Sequence, residues 1–168
     1  MINGESYGCL MCYVSKDVTP KLIEVGEKLV KDSQLYTEPN EDYGRETEPH
    51  VTIKYGFSPD LTDDEVEKML IGVKKFTVTA SGISTFSPEK FDVVKFDVVP
   101  SGQLLSLRKM ADKFPNKDEH PNFHPHITIS YVKKGSFPRE VSGKNIVLTI
   151  DRMVYSTSKN VKTEYKLL

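Results

Sequence analysis

The chain is short of cysteine, of net charge and of long apolar runs, and each shortage removes a class of protein. Two cysteines in 168 residues cannot make a disulfide scaffold, and a chain of this length buries a core without such staples. Cys9 and Cys12 lie in an apolar run that reads as a strand, which sends their side chains to opposite faces. A metal or redox pair is therefore disfavoured, and two buried thiols in a reducing compartment are expected. No apolar stretch reaches the roughly 20 residues that span a bilayer. The first residues lack the basic-then-apolar order of a signal peptide, so no membrane partner is expected and the cytosol is the expected location. A formal net charge of -1, from 23 basic and 24 acidic residues, argues against a broad basic face for long duplex nucleic acid. A small phosphate-bearing ligand needs only a local set of donors and stays open.

What the chain does have is regular patterning over one domain, residues 1–168. Residues 7–14 read as a strand, and Pro20 opens a helix to about Lys31 with Leu22, Val25, Leu29 and Val30 on its apolar side. Residues 32–49 form a polar loop, either a rim to a site or a solvated connection. A strand over 50–55 ends at Gly56. Thr62 and Glu65 have the spacing of a capping box for the next helix, whose Val66, Met69 and Leu70 face inward. Residues 76–83 and 91–99 alternate as strands, and Ser101 caps a helix over 102–113 carrying Leu104, Leu107 and Met110. A second polar loop leads to a strand over 126–132, and strands over 146–155 and 161–167 close the chain. Interspersed helices among more numerous strands predict an α+β fold with a largely antiparallel sheet and outer helices.

The order contains a duplication. A strand, a helix and a loop lead to Pro49-His50-Val51-Thr52-Ile53-Lys54-Tyr55, and again to Pro125-His126-Ile127-Thr128-Ile129-Ser130-Tyr131. Two pseudo-symmetric lobes would bring these strands together. On each strand the histidine and threonine share one face while the branched residues take the other. Four polar groups could thus meet one ligand. Opening a phosphodiester with a neighbouring hydroxyl or with water needs a base and an acid, and histidine fills either role near neutral pH. Threonine hydroxyls can donate to the non-bridging oxygens as phosphorus becomes five-coordinate. The scheme requires no metal or other cofactor.

Several neighbours are candidates for binding substrate. Lys54 and Ser130 share the facing of the motif residues on a regular strand, although both could instead be solvated strand-end groups. Tyr55 and Tyr131 then fall on the opposite face. Tyr13, Tyr43 and Phe123 could stack on a base, with core packing the competing role of Tyr13. Arg45 could fold inward toward phosphate from an otherwise acidic loop, and Lys133, Lys134, Arg139 and Lys144 could add positive potential after the second motif. His124 shares the facing of His126 only if the strand extends back through Pro125. His120, His124 and His126, with Asp118 or Glu119, outline a metal cluster only loosely, at no standard ligand spacing.

The paired His-x-Thr segments, separated by 76 residues, resemble the signature of the 2H phosphoesterase family. That family includes RNA 2',5'-ligase-like proteins, cyclic nucleotide phosphodiesterases and phage anti-CBASS nucleases that degrade cyclic oligonucleotide signals. The resemblance implies two lobes flanking a central cleft, with His50 and His126 catalytic and Thr52 and Thr128 holding phosphate. It leaves open which histidine is the acid. The leading expectation is hydrolysis of 3',5'-cyclic oligonucleotides, in host cytoplasm if the chain is phage-encoded. Hydrolysis of 2',3'-cyclic phosphates or processing of 2',5'-linked RNA is the alternative, on short linear oligonucleotides. A nucleotide-binding module without catalysis is a third reading, against which stands the intact histidine pair.

Overall fold

The computed structural model describes residues 6–118, 120–138, 140–141 and 143–168. Glu119 and Arg139, considered above for a metal cluster and a basic patch, lie outside the described residues. In chain order the elements are β1 (Gly8–Val14), α1 (Thr19–Leu29), β2 (His50–Phe57), α2 (Asp63–Met69), β3 (Phe76–Phe86), β4 (Phe91–Val98), α3 (Gly102–Ala111), β5 (His126–Lys133), β6 (Glu140–Val141), β7 (Ile146–Ser156) and β8 (Lys162–Lys166). A 3-10 turn covers Asp32–Gln34. The expected elements are all present, and the two-residue β6 is an addition that no sequence period could announce.

Local chemistry explains the helix starts. The Thr62 hydroxyl accepts from the Glu65 amide at 3.2 Å while the Glu65 carboxylate accepts from the Thr62 amide at 2.8 Å, a complete capping box. Ser101 accepts from the Leu104 amide at the start of α3. Pro20 sits in the first turn of α1, where its missing N–H costs nothing.

Every strand pairing is antiparallel. The strand order is β6-β3-β4-β5-β2-β1-β7-β8, and β3 also pairs with β7. Six strands therefore close into a ring, with β6 and β8 added outside it. The pairings repeat: β1 with β2, β4 with β5, and β7 and β3 as the next strands out on either side. The two motif strands meet at one register pair, Val51 opposite Ile127, which occupy equivalent places in the duplicated sequence.

Each early helix packs across the repeat. α1 precedes β2 but lies against β5, and α3 precedes β5 but lies against β2. The main core sits between helices and sheet, with Leu22, Val51, Ile53, Leu104, Leu107, Ile127 and Ile129 among its members. Met11, Tyr13 and Val154, with Cys9 against them, form a smaller cluster on the other face. The two cysteines thus face opposite ways as expected. Burial pushes the Cys9 thiol up to about 12 and that of Cys12 higher still, which leaves both protonated and unreactive near neutral pH. Among the described residues, no helix is long and apolar enough to cross a membrane.

Candidate active site

The sheet face opposite the helices carries two cross-strand rows. Tyr13 of β1 pairs with His50 of β2, and Thr128 of β5 pairs with Lys95 of β4. Met11 pairs with Thr52, and His126 pairs with Asp97. Carrying the register of the Val51–Ile127 pair one residue each way sets His50 opposite Thr128 and Thr52 opposite His126. The four motif residues therefore sit at neighbouring positions on one face of the two adjoining strands. All four are partly exposed.

Both rings are held in the same way. His50 Nδ1 lies 2.8 Å from the Glu48 carbonyl, and His126 Nδ1 lies 2.9 Å from the His124 carbonyl, each two residues upstream. A carbonyl oxygen only accepts, so the neutral ring carries its proton on Nδ1 and keeps Nε2 as the exchanging nitrogen. His50 also stacks on Tyr13, with centroids 5.3 Å apart, and Phe86 packs edge-on to His126 at 6.0 Å. Burial, with the nearby charges of Lys95 and His50, holds His126 below the ordinary histidine range, against the opposing pull of the His124 carbonyl and Asp97.

A matched pair of β-bulges overturns the expected facing of the residues that follow each threonine. Leu10 pairs with Lys54 and Met11 with Thr52, so Ile53 is the extra residue; Val94 pairs with Ser130 and Lys95 with Thr128, so Ile129 is its counterpart. Past each bulge the alternation reverses. Lys54 is 2% exposed and Ser130 0% exposed, both turned to the interior and away from a ligand in the groove. Lys54 donates to Asp112 at 2.6 Å and to Asp118 at 2.9 Å. Tyr55 and Tyr131 turn out to the histidine face instead and remain partly exposed. The available signal was the recurrence of tyrosine at the same offset in both motifs.

Other expected contacts are already committed elsewhere. Arg45 does not reach toward phosphate: it donates to the Gly26 and Val30 carbonyls at the end of α1 and to Asp32. Tyr13 is 3% exposed with His50 on one side and Arg152 5.1 Å from its ring centroid, which leaves no free face for a base. Phe123 packs beneath Arg108, 5.4 Å from the guanidinium, and against the main core. His124 is exposed and enters the site through its backbone carbonyl. His120 is exposed too, and its backbone carbonyl accepts from Arg108.

Tyr43 does line the groove. It forms an aromatic wall with Tyr36, Phe91 and Tyr131. Beside His50 lies a cavity of about 420 Å³ bounded by Tyr43, Tyr131, Lys162 and the carboxylates of Asp42, Glu46 and Glu48. Lys162 and Lys95 escaped the sequence reading because each reaches the groove from a strand far along the chain. Lys95 bonds the Ser84 hydroxyl at 2.7 Å and the Asp97 carboxylate.

Comparison with known proteins agrees with this architecture. The model of the 2'-5' RNA ligase superfamily matches residues 23–142. A protein of Shouchella clausii (strain KSM-K16) that bears a phosphoesterase name is 30% identical over 91 residues, 49% of this chain and 52% of its own. The chain thus spans about half the length of that curated relative. E. coli LigT, solved with 3'-AMP, superposes with a TM-score of 0.61 at 12% identity, covering 98% of this chain and 96% of LigT. Thermus thermophilus TT0787 gives 0.58 at 17% identity, covering 96% and 97%. Kluyveromyces marxianus Usb1, solved with uridine monophosphate, gives 0.58 at 11% identity, covering 97% and 99%.

Proposed function

The chain belongs to the 2'-5' RNA ligase superfamily, and on that premise we propose that it is a metal-independent phosphodiesterase acting on ribose-linked phosphate, with His50 and His126 as its proton-transfer pair. The observation that carries this reading is the twice-built imidazole: two histidines on adjoining strands, each with Nδ1 held by the carbonyl two residues upstream, flanked by Thr52 and Thr128.

For a 2',3'-cyclic phosphate, one neutral imidazole takes a proton from water as the water oxygen bonds to phosphorus. The other, protonated imidazole gives its proton to the ribose oxygen that leaves. One P–O bond forms, one breaks, and the product is a phosphomonoester beside a free hydroxyl. The pair returns to its starting state through solvent. The threonine hydroxyls donate to the non-bridging oxygens, where charge builds. The base and acid between them supply what the displacement needs, so no step calls for a Lewis acid. In this reading the duplicated halves are two pseudo-equivalent lobes that contribute one histidine and one threonine each.

Ribonucleotides with a 2',3'-cyclic phosphate, or short 2',5'-linked RNA, are the better supported substrates. LigT and Usb1 were solved with single nucleotides, and a groove with a cavity of about 420 Å³ suits a ligand of that size. Cyclic oligonucleotides, the first expectation from the sequence, have only the family resemblance behind them.

The test is a panel of 2',3'-cyclic mononucleotides, 2',5'-linked oligoadenylate and 3',5'-cyclic di- and trinucleotides, each incubated with and without chelator and read by mass. Chelator-resistant turnover of the first two classes is expected. His50→Ala and His126→Ala should each lower kcat by about 100-fold or more, the usual worth of a positioned acid or base. Full rates in both variants would refute the assignment. Turnover of the cyclic oligonucleotides alone would restore the narrower substrate reading.

A further inference from the structure

The duplication is broken at several places along the groove, and two of the breaks have opposite charge. In the row through His50 and Thr128 the last member is Lys95; its equivalent in the other row, beside Thr52, is Met11. In these cross-strand rows Thr128 therefore has a cation next to it and Thr52 has a thioether. The Lys95 side chain is 16% exposed, and its ammonium has three N–H donors, of which Ser84 and Asp97 take two. One donor remains without a partner among the described residues, on a lysine that is the cross-strand neighbour of Thr128.

The second break lies beside His50. The cavity there has three carboxylates at its edge, Asp42, Glu46 and Glu48, and tyrosine walls at Tyr43 and Tyr131. Of its two cations, Arg45 caps α1 and pairs with Asp32, while Lys162, half-exposed, lies 3.7 Å from Glu48. The charge left over for a ligand is negative. A second phosphate entering this space would be repelled, whereas an exocyclic amino group meets acceptors and a flat ring meets aromatic walls.

We propose that the groove takes its substrate in one polarity: the reacting phosphate against Thr128 and Lys95, and an amino-bearing nucleobase, on a nucleoside with no second phosphate, in the cavity beside His50. The proposal rests on the phosphodiesterase reading for the identity of the ligand, but it makes a claim about binding that turnover does not test. It assigns Lys95 to the phosphate site and the acidic edge to discrimination against substrates phosphorylated at both ends of the nucleoside.

The experiment is calorimetric binding of adenosine 3'-monophosphate, uridine 3'-monophosphate and adenosine 3',5'-bisphosphate to the intact chain. Expected are binding of the adenosine monophosphate at least tenfold tighter than either of the others, and a loss of tenfold or more in Lys95→Met. Lys95→Arg keeps the charge and should stay within about threefold of the parent. Glu46→Gln combined with Glu48→Gln should narrow the gap between monophosphate and bisphosphate. Asp97→Asn breaks the same ion pair while keeping the lysine, so it separates a phosphate contact from a structural one: binding should persist. Equal loss in Asp97→Asn and Lys95→Met, unchanged binding in Lys95→Met, or a bisphosphate that binds as tightly as the monophosphate would each overturn the proposal. Failure of the substrate panel with this binding pattern intact would instead remove only the catalytic reading.

Discussion

His126 shows how a single residue acquires its working state from its surroundings. Its ring is half-buried, and desolvation penalises the imidazolium, with the positive charges of Lys95 and His50 adding to that penalty. Its folded pKa therefore lies below the value of about 6.5 that an unfolded chain would show. Between those two values the unfolded state binds more protons than the native state, so stability falls as pH drops through the window and levels off below the folded pKa. NMR titration of the ring protons should place His126 below the ordinary range, and Lys95→Met should move it upward. A His126 that titrates at or above about 6.5 would contradict the burial argument. In His126→Gln, urea unfolding should lose that part of the pH slope.

At the scale of elements, the two bulges are braced by helices from across the repeat. Arg108 of α3 donates to the Ile53 carbonyl at 3.0 Å, at the bulged residue of β2. On the other side α1 comes so close to β5 that a Cβ at Gly26 would lie 2.9 Å from Cγ2 of Ile129, the bulged residue there. Ile129 is buried and branched at Cβ, so it has little room to turn away. Gly26→Val should cost about 2 kcal/mol through overpacking, measured by urea unfolding. It should also lower activity by shifting Thr128; a variant as stable and as active as the parent would show that α1 can retreat freely. The bulges also mark where the sequence stopped being informative. Thr62, Glu65 and Ser101 announced their helices because capping is local, and the histidine–threonine faces followed from strand alternation alone. Lys54 and Ser130 were misplaced because alternation carries no sign of an extra residue whose position depends on helices elsewhere in the fold. Lys95 was invisible for a related reason, since its place beside Thr128 depends on cross-strand register.

At the scale of the whole molecule, a charge cluster under the groove, buried at Lys54, largely buried at Arg108 and Asp118 and half-exposed at Asp112, ties the first motif to the loop that delivers the second. Lys54 of β2 bonds Asp112 at the end of α3 and Asp118 in the following loop; Arg108 bonds both of those carboxylates and the His120 carbonyl. The approach to His126 is thereby fastened to the strand that carries His50. Removing one member of such a pair strands the other charge in the interior, which typically costs ~3–5 kcal/mol, whereas removing both can cost far less. Asp118→Asn, with other partners left to Lys54, belongs at the low end, about 3 kcal/mol. Lys54→Met combined with Asp118→Asn should recover part of that loss, a non-additivity that a double-mutant cycle reads directly. Burial acts to raise the Asp118 pKa, but the bonds from Lys54 and the His120 amide, with the charges of Lys54 and Arg108, outweigh it and hold the carboxyl below its ordinary range. A carboxylate lowered in this way stabilises the fold fully above its unfolded value of about 3.9 and loses that contribution as pH falls through its folded value. The stability gap between the parent and Asp118→Asn should therefore be constant near neutrality and shrink in acid. A gap that stays unchanged down to the acid transition would mean that the ionised Asp118 carboxylate adds nothing to stability and that the loss in Asp118→Asn is one of packing.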